Sequence, residues 1–475
     1  MLAMQREVTS VPLAVGRSDV AAHTGNRYGV PFPRTWSVHA SELVAIAIGN
    51  GLLIVGMWVR HGGLEQLGSL AGILTAMGQL TALSGTYLAL LGIILMSRSP
   101  WLDEVFGADR LAASHRWIGF ATVWLIVAHF VFTTTGYALG IGQPIVAEAV
   151  TLVTTYPYVP MAAVALALFV MLAISSIRAA RRRASYETWF GLHLYAYLAV
   201  ALGFAHQLVV GSDFSSDPVA RAYWIALYAF TAACVLLFRV GQPLHLSLRH
   251  RLRVASVISE GPGVVSVYVT GRDLDRLAAR AGQFFQWRFL GRYGWWRHHP
   301  FALSAAPNGQ YLRLTIKALG DDTKDLQRLR VGARVLVEGP YGALTGARRT
   351  RQRVLLVAGG IGIAPLRALL EDLPAGPGDL ALIYRARRPE DLVFREELEV
   401  LARLRGAAVH YIVGQRGRDL PPDPLGAGVL ASLVPDVQHR DVYLCGPVSM
   451  MDTVRRGLRS LGVPARQIHW ESFSE

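Results

Sequence analysis

Four histidines stand inside long apolar stretches of the chain: His115 and His129, 14 residues apart, and His193 and His206, 13 apart. Burying an ionisable side chain in hydrocarbon is expensive, so such a residue marks function rather than packing. Imidazole is also a common ligand for metal ions. A single membrane histidine reads as a hydrogen-bonded structural residue. Two matched pairs point instead to two b-type haems held edge-on between two helices, each iron taking one imidazole from each helix. On a helix 14 residues rise about 21 Å, most of a ~30 Å hydrocarbon core. The same spacing returns to nearly the same helical face. The spacing of 13 does not, which predicts a twist or kink in the second helix, with Gly203 as its place. His61, outside these stretches, reads as a solvated loop residue.

The elements that must carry these histidines are membrane helices. The 475-residue chain is 52% hydrophobic, and the excess lies between His39 and Val240. Six segments are long enough to span: Leu43–Val59, Gly72–Met96, Trp117–Leu139, Val150–Ile177, Trp189–Val210 and Tyr223–Val240. Basic residues in short loops set orientation. Arg98, Arg110 and Arg116 flank the second loop and Arg178, Arg181, Arg182 and Arg183 fill the fourth, whereas the third has no Lys or Arg. The first and fifth loops carry Arg60 and Arg221. A multi-pass protein of the cell membrane with both termini cytoplasmic is expected. The net charge of +14, from 47 Lys+Arg against 33 Asp+Glu, is accounted for by these loops and by a site for anionic cofactors. No nucleic-acid recognition motif accompanies it. Two cysteines, Cys234 and Cys445, make neither a disulfide framework nor a zinc site. Residues 1–39 read as a disordered cytoplasmic tail and 40–242 as the six-span bis-haem domain.

From Arg251 the pattern changes to short alternating strands separated by turn residues, a small antiparallel barrel over 248–346. From Arg353 strands alternate with helices, a doubly wound parallel sheet over 350–475. There a buried strand runs into Gly359-Gly360-Ile361-Gly362-Ile363-Ala364-Pro365 and a helix. Glycines let a backbone approach a pyrophosphate, and the helix N-terminus offers it free N–H groups. Pro365 suits the first helical position. The next strand ends in Tyr384-Arg385, where a site for NADH usually carries an acid. Arginine suits a 2′-phosphate, and Arg416 after the following strand completes a clamp. NADPH is the expected nucleotide, with NADH the poorer one.

Taken together these motifs resemble the ferric reductase and NADPH oxidase superfamily, in which a haem membrane domain is joined to a ferredoxin-reductase-like flavoprotein module. The resemblance covers roughly Leu43 to Phe473. It implies a six-span α-helical bundle, an FAD-binding antiparallel barrel and an NAD(P)H-binding α/β domain. The histidine pairs match the family's bis-histidine spacing. His299-Pro300-Phe301-Ala302-Leu303-Ser304 is similar to the family's flavin motif. His299 and Phe301 are thereby implied to contact FAD, and the backbone to line the isoalloxazine. Ala302 stands where the family has Thr or Ser. Gly320-Asp321-Asp322-Thr323 is similar to the second flavin motif, implying that Thr323 both caps a helix and binds the FAD pyrophosphate. Cys445-Gly446-Pro447 resembles the nicotinamide turn, with Cys445 beside the hydride path. Phe473 resembles the terminal aromatic that covers the flavin until nicotinamide displaces it, although here Ser474 and Glu475 follow it.

The expected activity is electron transfer from NADPH through FAD and two b-type haems to a small acceptor outside the cytoplasm, with no obligate protein partner. Family members that make superoxide place a basic cluster near the outer haem. The comparable residues here are Arg60 and His61, and the second span carries Gln79 rather than an arginine. A reductase of ferric chelates or general acceptors is therefore preferred to an oxidase using O2. Readings of other classes are an electron-donor subunit serving a partner protein and a six-span transporter.

Overall fold

The computed structural model describes residues 39–177, 186–211, 214, 217–291 and 297–471. The expected tail up to Val38, the loop arginines Arg178, Arg181, Arg182 and Arg183, and Phe473 lie outside the described residues. The chain divides into two compact units, Val38–Gln242 and Pro243–Glu475.

The first unit is helical, and six helices among the described residues are long and apolar enough to cross a membrane. Its helices are α1 (Ala40–Arg60), α2 (Leu70–Leu95), α3 (Pro100–Phe106), α4 (Ala108–Ile141), α5 (Ile145–Thr155), α6 (Val159–Ser176), α7 (Tyr186–His193), α8 (Tyr195–Val210) and α9 (Pro218–Val235). Two expectations are corrected here. The single span Val150–Ile177 is two helices, α5 and α6, broken at Tyr156-Pro157-Tyr158, where Tyr158 takes a positive φ of 64°. Pro157 and Pro160 lack the N–H that a continuous helix needs, so the break follows from their spacing. The irregularity between His193 and His206 falls at Leu194, not Gly203, which lies within α8. At Leu194 the chain tightens, with the Tyr197 N–H donating to the Leu194 carbonyl. A π-helical segment, Leu236–Gly241, precedes Pro243 and lets the helix continue past a residue with no N–H.

Helices α2 and α4 run antiparallel in close contact: Gly78 faces Thr133, Gly85 faces Ile126 and Gly92 faces His115. A Cβ on Gly78 would stand 2.3 Å from Thr133 Oγ1 and 3.0 Å from its backbone nitrogen. Only glycine admits α4 this closely, and small residues at such contacts let helix backbones approach in a membrane.

In the second unit, six strands form two three-stranded antiparallel sheets: β1 (Arg253–Gly261), β2 (Val264–Thr270) and β5 (Leu312–Lys317), and β4 (His299–Ala302), β3 (Phe284–Phe289) and β6 (Val335–Tyr341). Bridges Arg253↔Arg334 and Leu303↔Leu314 join their edges. Val267, Phe285, Trp287, Leu303, Leu314 and Ile316 fill the interior. β4 contains Pro300. It sits at a sheet edge, where a missing N–H is tolerated. The remaining strands, β7 (Arg353–Gly359), β8 (Leu380–Ala386), β9 (Ala408–Val413), β10 (Arg440–Cys445) and β11 (Ile468–Glu471), form one parallel sheet ordered β11-β10-β7-β8-β9. The order reverses between β7 and β10, and ligands of such sheets bind in the crevice at that switch point.

Candidate functional site

One histidine pair meets, and the other shares a cavity. The rings of His115 on α4 and His193 at the end of α7 are 5.9 Å apart, close enough for one metal ion to take both. His129 and His206 line a shared cavity of about 1000 Å³. The Nδ1 of His115 lies 3.1 Å from the Gly92 carbonyl, and that of His129 lies 2.9 Å from the Gly78 carbonyl. A carbonyl oxygen only accepts, so Nδ1 is the protonated nitrogen in both rings and Nε2 is left to bind a metal. Ligand histidines are usually oriented in this way. His193 stacks on Trp189 at 5.0 Å, and the Nδ1 atoms of His193 and His206 are buried without a hydrogen-bond partner among the described residues. This donor set fits two bis-imidazole iron sites.

His61 is not simply solvated, as had been expected. Its Nε2 lies 2.5 Å from Asp217 Oδ2, and Arg60 reaches the same oxygen at 2.6 Å. Asp217 also accepts from the Val219 N–H at the start of α9. Its carboxyl is held below the usual range by His61 first and then by that backbone bond. Arg239 donates twice to the Met96 carbonyl, at 3.1 and 2.9 Å.

In the barrel, the rings of His299 and Phe301 lie 5.8 Å apart and nearly parallel. The Phe301 carbonyl accepts from Trp287 Nε1 at 2.9 Å. Ala302 packs with Phe284 and Tyr341. Leu303 and Ser304 are fully buried, so their side chains are structural. The Ser304 hydroxyl accepts from Arg313 Nε at 3.1 Å and Thr315 Oγ1 at 2.7 Å, and its carbonyl accepts from Arg313 at 2.6 Å. Thr323 is also corrected in part. Its hydroxyl accepts from the N–H groups of Leu319 and Gly320 and donates to the Gly320 carbonyl. With its single O–H donor engaged, any phosphate contact at this turn falls to backbone N–H groups.

The glycine loop after β7 packs directly on the turn after β10. A Cβ on Gly362 would stand 2.3 Å from the Cys445 carbonyl, so glycine is required for the two loops to touch. Gly360 has a φ of +54° and Gly446 one of +159°. Gly359 lies against Met450 and Pro447. Pro365 is the third residue of the helix Ile363–Asp372 rather than the first, still within the turn whose N–H groups are free. Cys445 is fully buried at the end of β10, and burial, then the charge of Glu471, pushes its thiol up so that it stays protonated. Tyr384 is a core residue rather than a nucleotide contact. It is fully buried, and its hydroxyl lies 3.2 Å from the Gly360 carbonyl and accepts from the Val393 N–H at 3.1 Å. Arg385 donates to the carbonyls of Ile412 (3.2 Å) and Gly414 (2.5 Å). Burial first, then the charges of Arg387 and Arg416, hold its guanidinium below its ordinary value. These three arginines therefore form one basic group at the strand ends. Arg416 is held by the Pro422 carbonyl. Arg387, just past the end of β8, follows Arg385 in the sequence but was not assigned to the clamp.

A buried polar ladder ties the barrel to the parallel sheet and was not foreseen. Arg313 of β5 meets Glu397 at 3.1 Å, Arg367 bridges Glu397 and Glu371, and Glu371 accepts from the Ala306 N–H at 2.8 Å.

Residues 81–204 match the ferric reductase like transmembrane component, 250–345 an FAD-binding domain and 356–456 an oxidoreductase NAD-binding domain. The chain is 31% identical over 188 residues to the glycine betaine monooxygenase reductase subunit of Chromohalobacter salexigens, covering 36% of this chain and 50% of that one. It is 31% identical over 189 residues to ferredoxin–NADP reductase B of Sorangium cellulosum, covering 36% and 77% respectively. It is similar also to the solved flavohaem-like FAD/NAD-binding domain of nitric oxide dioxygenase from Vibrio cholerae O1 biovar El Tor. That likeness has 21% identity and a TM-score of 0.39, over 48% of this chain and 100% of that one. The chain spans about half the length of several curated relatives, including the glycine betaine monooxygenase subunit and the reductase component of propane 2-monooxygenase from Rhodococcus jostii. Fold and matches give a multi-pass membrane domain of ferric-reductase-like type joined to FAD- and NAD-binding domains. The three matched domains, in this order, match a ferric reductase/NADPH oxidase-like fusion.

Proposed function

We propose that the protein moves electrons from cytoplasmic NADPH across the membrane to an acceptor on the outer side. The observation that carries this reading is the meeting of His115 with His193 and the sharing of one cavity by His129 and His206. When bound, FAD turns a hydride into single electrons, and two b-type haems supply one-electron carriers. The residues of the chain do the rest. His115 and His193 hold the inner iron, and His129 and His206 the outer one. The backbone at His299–Ser304 lines the flavin, with His299, Pro300, Phe301 and Ala302 nearest to it, and the turn at Gly320 takes its pyrophosphate. Gly359, Gly360, Gly362 and Pro365 shape the nucleotide's phosphate site, and Gly446 and Pro447 its nicotinamide turn. Arg385, Arg387 and Arg416 hold the 2′-phosphate. The neutral Cys445 thiol keeps charge away from the hydride path, and Phe473 covers the flavin. Arg98 in the connection after α2, with Arg110 and Arg116 in the first turns of α4, supports a cytoplasmic location for both termini.

On the acceptor side, Arg60 and His61 are both engaged by Asp217, which supports a ferric-chelate or general acceptor reductase over a superoxide-producing oxidase. The test is NADPH oxidation by detergent-purified protein in air, in air with superoxide dismutase and a superoxide probe, and anaerobically with ferric citrate, alongside a pyridine haemochrome count. About two haems per chain and anaerobic ferric reduction are expected. A dismutase-sensitive signal as the dominant product shifts the assignment to the oxidase, and protein without haem rejects the reading.

A further inference from the structure

The charges between the barrel and the parallel sheet form a closed ring to which the scheme above gives no role. The Ala306 N–H donates to Glu371 Oε2 at 2.8 Å, and the same oxygen accepts from Arg367. Arg367 also pairs with Glu397, both of whose oxygens lie 3.1 Å from Arg313 Nη1. Arg313 Nη2 then donates to the Ser304 carbonyl at 2.6 Å. The ring starts and ends on one short segment, Ser304–Ala306, just past the end of β4. Its arginines are its buried members, with the Arg313 side chain 5% exposed and that of Arg367 3%. Charge-assisted hydrogen bonds are short and roughly twice as strong as neutral ones, and a low dielectric strengthens them further.

Arg367 and Glu371 stand one turn apart on the helix Ile363–Asp372. That helix starts at the glycine loop, where Gly362 packs on the Cys445 carbonyl. Every residue from Ile363 to Leu370 is buried. Near its other end Leu369 meets the barrel at Gly282, where an added Cβ would lie 3.2 Å from Leu369 Cγ. Residues 363 to 371 rise about 12 Å along the helix. A packed helix of this length carries displacement as a rigid element. One such element therefore has the proposed phosphate site of the nucleotide at its first turn. In its last turn it holds the backbone that continues from the proposed flavin segment.

Ion pairs that only braced two domains would serve at any barrel residue. These close on the residues beside the flavin motif, and one of them ends on a backbone N–H whose place it fixes.

We infer that Glu371 is a positioning residue for hydride transfer: through it, the helix that receives the nucleotide's phosphates sets the place of the flavin segment. This rests on the electron-transfer reading above, in which His299–Ser304 lines the flavin. The step is the one already proposed, a hydride passing from NADPH to FAD to give NADP+ and reduced flavin. It needs donor and acceptor atoms in contact, and a misplacement of about 1 Å can cost on the order of a hundredfold in rate. Arg385, Arg387, Arg416 and the glycine loop are not members of the ring. Its loss should therefore slow the chemical step without weakening the hold on NADPH.

The test uses the full chain with FAD and haem loaded, mixed anaerobically with NADPH over a range of concentrations. Flavin reduction is followed by its absorbance. Glu371→Ala leaves the Ala306 N–H without its acceptor. It should lower the limiting rate about tenfold to a hundredfold while the Kd for NADPH stays within about twofold. NADPH deuterated at the transferred position should show a larger isotope effect in the variant than in wild type. Independently of turnover, the charge-transfer band at saturating NADP+ should weaken. Glu371→Gln keeps an oxygen for the same N–H and should recover part of the rate and of the band. Should Glu371→Ala not retain FAD, Glu371→Asp, one methylene shorter, is read in the same way. An unchanged limiting rate in a variant that retains FAD overturns the inference, as does a variant impaired only in NADPH affinity. Loss of FAD from Glu371→Asp as well makes the residue a brace between domains and also overturns it. In all three cases the electron-transfer reading stands, whereas loaded wild-type protein whose flavin NADPH does not reduce overturns both.

Discussion

Arg313 in the barrel and Glu397 in the parallel-sheet domain form an ion pair at 3.1 Å, with the Arg313 side chain almost wholly buried. Arg313 also grips the carbonyl and hydroxyl of Ser304, so the pair ties the proposed flavin segment to the helix Arg395–Arg405. Two domains that must align a flavin with a nicotinamide are thereby held by charges that cannot slide.

Removing Glu397 strands two buried guanidinium groups, Arg313 and Arg367. Glu397→Gln is therefore expected to destabilise the module by about 3 kcal/mol, the scale seen when one partner of a buried pair is lost. Burial alone would raise the Glu397 carboxyl, but Arg367 and then Arg313 outweigh it and hold the group below its ordinary value. A depressed folded-state pKa contributes stability that is present above the unfolded value of about 4.3 and lost as pH falls through the folded one. Denaturation of the holoprotein from neutral pH into the acid range should show this loss in wild type and a flatter profile in the variant. Equal acid sensitivity of the two proteins would remove Glu397 as the linked group.

The glycines of α2 make separable predictions for the haems. Gly78→Ala places a methyl group 2.3 Å from Thr133 Oγ1 and 3.0 Å from backbone, which pushes α4 away and breaks the bond between His129 and the Gly78 carbonyl. At Gly92 the added methyl would lie 3.6 Å from His115 Nδ1, an ordinary contact. Gly78→Ala should therefore lose one haem of two while Gly92→Ala keeps both, read by haemochrome count and reduced-minus-oxidised spectra. Full occupancy in Gly78→Ala would show that the carbonyl does not position His129.

The proposed 2′-phosphate clamp at the end of β8 makes nucleotide choice testable. Arg385→Ala should raise the KM for NADPH about tenfold to a hundredfold, from a charge-assisted phosphate contact of roughly 1.5–3 kcal/mol, while changing that for NADH far less. Arg387→Ala should act in the same direction. Wild-type protein that uses both nucleotides equally would refute this assignment and leave the fold untouched.

What was legible in the sequence were the features with a strong local signature. The spans appear as apolar length, the histidine pairs as spacing within them, and the glycine loop as a strand followed by a helix. The break at Tyr156–Tyr158 was written in Pro157 and Pro160 but was masked by apolar residues on both sides. The irregularity at Leu194 has no special residue type to announce it. β11 is only four residues long and takes its place through pairing with β10, which its own sequence does not announce. Arg313 and Glu397 acquire meaning through an ion pair between residues 84 apart in sequence, which no local pattern carries.

β11 ends at Glu471, which pairs with Cys445 in the parallel sheet, and Phe473 follows two residues later in the chain. An aromatic ring stacked on an isoalloxazine excludes water and gains roughly 0.5–1.5 kcal/mol beyond its buried area. The nicotinamide needs the same face for hydride transfer, so the ring must leave first, and only the open fraction of molecules is competent to bind productively. Replacing the ring removes that competition for either nucleotide. Phe473→Ser is therefore expected to raise nicotinamide occupancy over the flavin, seen as a stronger charge-transfer band on titration with NADP+. It should also weaken the discrimination against NADH, because the binding energy of the 2′-phosphate no longer has to drive displacement of the ring. Haem spectra should not change, since the four histidines belong to the other unit of the chain. A variant that matches wild type in flavin spectrum, nucleotide preference and turnover would leave Phe473 as a tail residue only.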